Sequence, residues 1–323
     1  MDTVRIFSEF VAAKIKDYLP IKYQEADCRV KESIGNNGIY QSGIALHLPG
    51  ESGERTIYMD RYYSELKAGI PMNKIMGEIA VQLDGCRELD LMLKDSQIED
   101  YQYVKSYLSI SLINKGANRR KLLHMPYMEM EDLAMICRVD LPYPEGLVVT
   151  EVMNEFLKTW GVSKEAMFGA ALKNLWEYKD FTLRASVPMV AHLLEGQCEP
   201  ENLLDVPDGT PVDLQEMLYI LTNRGNIRGA SAILCPRVMN KISDLFPEGF
   251  YIIPSSIHET LIVPKRWGFQ IKAMEEMTHD INRTMVSNEE ILSSHIYEYD
   301  RDAGRIRQAQ ELKPKEKKRG MER

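Results

Sequence analysis

At 323 residues, with 44% hydrophobic and 27% charged side chains, the chain has an ordinary globular composition for two domains or one large one. This excludes disorder along the whole length as well as collagen-like and long coiled-coil architectures; no run approaches the ~20 apolar residues that span a bilayer, and Met1-Asp2-Thr3-Val4-Arg5 lacks the regions of a signal peptide, so a cytoplasmic protein without membrane contact is expected. The net charge of −8 is uneven: residues 301–323 carry +5, which leaves −13 on the first 300 and disfavours binding of a phosphate backbone anywhere but the tail.

Val4, Phe7, Val11, Ile15 and Tyr18 recur at helical spacing, and Pro20 stops that run. Residues 28–34 and 39–48 flank Gly35-Asn36-Asn37-Gly38, a turn signal because Asn and Gly tolerate positive φ, and read as a β-hairpin. A second turn at 49–53 leads to a third strand at 55–59. Asp60 is expected to cap a short helix closed by Gly69, and Pro71 to open a longer one. The apolar stripe of that second helix is Met72, Ile75, Met76, Ile79 and Leu83, continued through Leu89 to Leu93.

Further along, 107–113 reads as a strand and 115–121 as a basic turn. Strands at 132–140 and 147–149 are joined across Pro142-Tyr-Pro-Glu-Gly146 as a second antiparallel pair. Val152, Phe156 and Leu157 mark a helix ended by Trp160-Gly161, and Ser163 caps the next, whose Met167, Ala171, Leu172 and Leu175 face inward. Residues 195–213 read as a loop. Met217–Thr222 is a buried strand, followed by the turn Asn223–Asn226 and a helical stretch broken by Pro236. Residues 250–253 and 260–263 form strands around a polar tip, 269–285 a helix, and 296–299 a last strand. Ser287 and Glu290 have capping-box spacing before Ile291. The fold class that results is α+β, with mainly antiparallel sheets and packed helices in two lobes, 1–100 and 104–300, followed by a basic, disordered tail at 301–323.

Candidate chemistry concentrates in one place. Ser255-Ser256-Ile257-His258-Glu259 sits between two apolar strands, and loops held by rigid elements are where function gathers. Its residue types permit a hydrolase in which His258 is the general base, Glu259 or another carboxylate orients it, and Ser255 or Ser256 is the nucleophile. Neighbours on one hairpin rarely form that line, however, and no Gly-x-Ser-x-Gly elbow is present. The structural alternative is a tight turn, and the sequence leaves the two open. Asn223, Arg224 and Arg228 border a strand-to-helix turn that is suited to holding an anion, although Gly225-Asn-Ile-Arg-Gly229 lacks the dinucleotide pattern.

The five cysteines, Cys28, Cys86, Cys137, Cys198 and Cys235, are odd in number and contain no Cys-x-x-Cys pair, so they read as reduced thiols. The six histidines lack metal-ligand spacing; His279-Asp280 and His295 near Glu298 and Asp300 read as surface polar groups. Neither a metal nor a cofactor is called for. The tyrosines and the 18 methionines are read as core, with an adaptable interaction surface as the alternative.

Several segments taken together carry a resemblance: Pro126 through Asp132-Leu-Ala-Met, Trp160-Gly-Val-Ser-Lys-Glu, Ala170–Leu175, Tyr219–Asn223, Gly229–Leu234, Tyr251–Glu259 and Leu292–Asp300. The chain resembles, over nearly all but its tail, a domain-of-unknown-function family of Gram-positive gut bacteria often carried on integrative or conjugative elements. A more distant similarity is to another uncharacterised bacterial family sharing the Trp-Gly-x-Ser-x-Glu to Ala-x-x-Asn-Leu helix pair. The resemblance implies an intracellular bacterial α+β protein and brings no activity or catalytic residue with it. The expected role is a non-enzymatic binding or regulatory protein, whose partner is a protein or small ligand at Asn223, Ser255, Ser256, His258 and Glu259, with nucleic acid reached only through the tail.

Overall fold

The computed structural model describes residues 3–50, 54–92, 98–143, 146–196 and 198–310. The fold is α+β, its sheets antiparallel, and the chain divides into two compact units. The first comprises Met1–Ser109, Ala117–Pro126 and Cys137–Ala171; the second comprises Ile110–Gly116, Tyr127–Ile136 and Leu172–Arg323.

In the first unit, α1 (Val4–Lys14) starts where the Thr3 hydroxyl accepts the Ile6 N–H, and it buries Phe7 and Val11; Ile15, just beyond it, is buried too, while Tyr18 stays exposed. Strands β1 (Asp27–Ile34), β2 (Tyr40–His47) and β3 (Arg55–Tyr58) form an antiparallel sheet with Ile44 opposite Ile57. Asn37 supplies the left-handed backbone of the first hairpin turn, at φ 57°. Helix α2 (Asp60–Lys67) follows. Here Met59, not Asp60, is the capping residue, because Asp60 already lies in the first turn. Helix α3 (Met72–Met92) buries Ile75, Met76, Ile79 and Leu83 against Phe7, Ile44 and Tyr63 in one core. The expected continuation of its stripe to Leu89 and Leu93 lies outside the described side chains.

Next come α4 (Tyr101–Val104) and the strands β4 (Leu108–Asn114), β5 (Tyr127–Met130), β6 (Leu133–Tyr143) and β7 (Gly146–Glu151). β5 escaped the sequence reading, since four residues with two exposed at the centre show little alternation. Its turn into β6 passes through Glu131, held at φ 56°. β6 pairs with β7 from Arg138–Glu151 to Tyr143–Gly146, so Pro142 continues the strand instead of breaking it. Helix α5 (Asn154–Trp160) ends on Gly161 at φ +64°, and α6 (Lys164–Glu177) begins where the Ser163 hydroxyl accepts the Ala166 N–H, both as the sequence predicts.

The largest sheet belongs to the second unit. It is built from β8 (Phe181–Ala185), β9 (Tyr219–Asn223), β10 (Phe250–Ile253), β11 (Thr260–Pro264), β12 (Tyr297–Asp300) and β13 (Arg305–Gln308), in the order β13-β12-β10-β11-β9-β8. β8 and the helix after it, α7 (Ser186–Glu195), were not expected. On one face Tyr219 and Phe250 pack against Phe246, which ends α8 (Pro236–Leu245). Pro236 occupies the first turn of α8 and so opens that helix, where its missing N–H costs nothing. On the other face Ile253 and Val263 pack against Ile271 and Met274 of α9 (Ile271–Thr284).

Two more expectations are corrected in this unit. Ser287 and Glu290 open no helix; the Glu290 N–H donates to the Ser287 carbonyl in a turn, and Ile291 bridges to Ser256 instead. Within the stretch read as a tail, Arg305–Gln308 form the strand β13, because Arg307 reaches both Glu298 and Asp300 on β12. No helix among the described residues is long and apolar enough to cross a membrane.

Candidate functional site

The three strands read at 217–222, 250–253 and 260–263 are neighbours in the sheet, in the order β10-β11-β9. At one end of them three connecting segments are tied together by their main chains. The loop after β9 (223–229) is shaped by Asn223, whose side-chain amide donates to the Ile227 carbonyl and whose oxygen accepts the Ile227 N–H. Its backbone needs left-handed residues at Asn226 and Arg228. It then meets the β10–β11 connection: the Gly229 N–H donates to the His258 carbonyl at 2.9 Å and the Ala230 N–H to that of Ile257. The Thr222 hydroxyl donates to the same His258 carbonyl at 2.8 Å. The third segment, 290–293, receives the Ile257 N–H at the Glu290 carbonyl, and its Leu292 and Ser293 N–H groups donate to Ser255 and Pro254.

Glycine at 229 is dictated by this close approach. A Cβ there would fall against the Thr222 hydroxyl, 2.6 Å from the Asn223 nitrogen and 2.8 Å from the His258 oxygen.

His258 is oriented from both sides. Its Nδ1 accepts the Arg228 N–H at 3.2 Å, and because a backbone N–H can only donate, the neutral ring carries its proton on Nε2. Nε2 lies 3.2 Å from Glu290 Oε1. The Ser256 hydroxyl accepts the His258 backbone N–H at 3.0 Å, a local turn bond that does not involve the imidazole. Both ring nitrogens are therefore engaged, and neither presents a lone pair to Ser255 or Ser256. Glu259 is half-buried; burial first, and the neighbouring Glu290 carboxylate after it, push its carboxyl above the usual range against the opposing pull of His258.

Of the residues singled out in the sequence, Asn223, Ser255, Ser256, His258 and Glu259 meet at this end of the sheet, and Arg228 joins through its backbone. Arg224 turns to Asp180, its N–H on the Asp180 carbonyl and its guanidinium 3.6 Å from the carboxylate. The following stretch, Gly229–Leu234, is a six-residue 3₁₀ turn and not the α-helix that an anion site would need. His295 pairs with Glu275 at 3.1 Å, whereas Glu298 is taken by Lys265 and Arg307, so the grouping of His295 with Glu298 is not formed. No set of three or more His, Cys, Asp or Glu side chains arranged for a metal occurs among the described residues.

Two features were missed. Glu290, the partner of His258, was hidden in an apparent helix cap. The β5–β6 turn is anchored by Asp132, whose Oδ2 accepts the Ser293 hydroxyl at 2.8 Å and whose Oδ1 accepts Tyr297 and, at 3.1 Å, Gln308. Ser293 and Tyr297 are both nearly inaccessible, so this is a buried polar tie. Both sides of this tie lie in segments that carry the family resemblance, at Asp132 and at Leu292–Asp300.

Beside this end of the sheet lies a cavity of about 400 Å³ between α9 and the face formed by β10, β11 and the residues Met217 and Leu218 that lead into β9, with Ser255 in its wall. Cys28, Cys137, Cys198 and Cys235 carry free thiols, and burial pushes the Cys28 thiol up to about 11 and Cys137 higher still, so both behave as inert hydrophobes. The side chain of Cys86 lies outside the description.

Comparison with curated proteins and with solved structures returns no match. Over residues 4–301 the sequence matches the model of DUF5688, a family of unknown function, and the chain belongs to that family.

Proposed function

We propose that the chain is a non-enzymatic binding protein with a regulatory role, engaging a protein or small ligand at the end of the second unit's sheet, around Asn223, Ser255, Ser256, His258 and Glu259. The observation that carries this reading is the double engagement of His258: with Nδ1 on the Arg228 N–H and Nε2 on Glu290, the imidazole has no nitrogen with which to take a serine proton. A group fixed in this way suits recognition, because the loops around it are already in one conformation and little ordering is required on binding. Arg224, Asn226 and Ile227 stand exposed on the same loop, and Ile227 is 65% accessible. The setting that fits is cytoplasmic and bacterial, on a mobile element, with nucleic acid touched only by the basic tail.

The test separates recognition from catalysis. Affinity purification from the native host with wild type and with Arg224→Glu plus Ile227→Asp, which leave the main-chain ties intact, should show one defined partner lost in the variant. Turnover of chromogenic esters or peptides that disappears in both His258→Ala and Ser256→Ala, yet survives in the surface variant, would establish the hydrolase instead.

A further inference from the structure

The cavity beside the candidate site has a floor, and that feature decides what it can hold. Its depth is lined by Ile253, Val263, Met274 and Thr278, each at least nine-tenths buried, whereas its mouth is framed by Met217, Phe269, Met277 and Ile281, each 37–53% exposed. A flat docking face would consist of the exposed set alone. Along α9 the mouth residues Ala273, Met277 and Ile281 recur every four positions, one stripe away from the buried Met274, Thr278 and Asn282. The helix thus stands on the sheet by one edge and leaves a wedge beneath the other. Methionines suit such a wall because their unbranched, polarisable side chains adapt to an occupant.

The lining carries no charged side chain, and the cations beside the mouth, Lys272 and Arg283, already face Glu276 and Asp280. An anionic headgroup therefore finds no ready counter-ion. The wall contains two hydroxyls. That of Thr278 is spent on the Met274 carbonyl at 2.7 Å, but that of Ser255, a residue 93% buried, has no hydrogen-bond partner among the described residues. A hydroxyl without a partner in the wall of an apolar cavity is a site for one hydrogen bond to an occupant. A volume of about 400 Å³ is within the range of small-ligand sites, and by the scale on which ~150 Å³ holds one benzene it takes roughly ten to sixteen carbon atoms.

Resting on the binding reading above, we infer that the ligand is an uncharged, largely apolar small molecule, with a single hydrogen-bonding group held by Ser255 and a hydrocarbon body between α9 and the sheet.

The experiment is a fluorescence titration of the full chain with N-phenyl-1-naphthylamine, an uncharged aromatic amine of suitable size, followed by displacement with 1-decanol and with decanoate. Saturation at one probe per chain is expected, with decanol displacing it at least tenfold more effectively than decanoate. Ala273→Phe, which fills the mouth from an exposed position, should weaken the probe at least tenfold with unchanged circular dichroism. Ser255→Ala should weaken decanol roughly fivefold, the worth of one hydrogen bond, without lowering Tm. Absence of a saturable site, equal binding by Ala273→Phe, or equal displacement by decanoate would each overturn the inference. So would a dimer, seen by sedimentation, that Met277→Glu dissociates, since a second copy would then cover the mouth. None of these results touches the loss of a partner on changing Arg224 and Ile227, so the two readings fail separately.

Discussion

Gly229 is where the loop after β9 meets the β10–β11 connection, and its lack of a side chain is what permits the two to touch. Gly229→Ala is expected to destabilise the protein by about 1–3 kcal/mol, because main-chain atoms of Asn223 and His258 must move to admit a methyl group; a urea titration measures this, and an unchanged midpoint would mean that the loops are not tied as described. Glu259 makes the opposite contribution. Its carboxyl is raised in the folded state, so the proton is held more tightly folded than unfolded; the resulting stabilisation is complete below the ordinary value of 4.5 and is lost as pH rises through the folded value. Above that value the half-buried carboxylate is held at some cost. Glu259→Gln should raise Tm at neutral pH, with the advantage fading as the pH falls through the folded value and gone below 4.5, a trend that scanning calorimetry across this range would follow.

At the scale of elements, the β5–β6 turn is held by a single carboxylate. Asp132→Ala leaves the buried Ser293 hydroxyl without its acceptor and Tyr297 with only the Ser293 oxygen at 3.5 Å, and a loss of roughly 2–4 kcal/mol is expected. Asp132→Asn, which retains one oxygen, should lose less, and the ordering of the two by urea midpoint checks the assignment. These elements also show what could be read in advance. Periodicity found α1, the first sheet, α3 and α9 because each presents one apolar face to one core, as Ile75, Met76, Ile79 and Leu83 do. It found the β9, β10 and β11 ribbons, and with them the location of the candidate site, for the same reason. It failed where a short element owes its state to partners distant in sequence: β5 with its exposed centre, and β13, fixed by Arg307 on Glu298 and Asp300. Glu290 was overlooked on the same grounds, since a capping-box spacing is local information and its pairing with His258 spans 32 positions.

For the whole molecule the charge asymmetry is the guide. With −13 on the first 300 residues and six lysines and arginines in 311–323, the charge distribution disfavours a duplex along the body and leads to the expectation that any contact is made by the last stretch. Salt-dependent binding of a short DNA duplex, followed by fluorescence anisotropy, should vanish on deleting 311–323, and in the intact chain its log–log salt slope should be no steeper than about −5. Binding that persists in the truncated chain would locate the contact elsewhere.

The strand β13 has one more effect. It ends the large sheet with Arg305 exposed and Arg307 tied back to Glu298 and Asp300 of β12, and a like strand from another molecule, laid along this border, would have to accommodate the Arg305 guanidinium and disturb those ion pairs. Among the described residues the backbone edge of Arg305–Gln308 is thereby guarded by the Arg305 charge and by the ion pairs of Arg307, so exchanging both arginines for threonine should turn a well-behaved preparation into one that forms fibres or precipitates on storage.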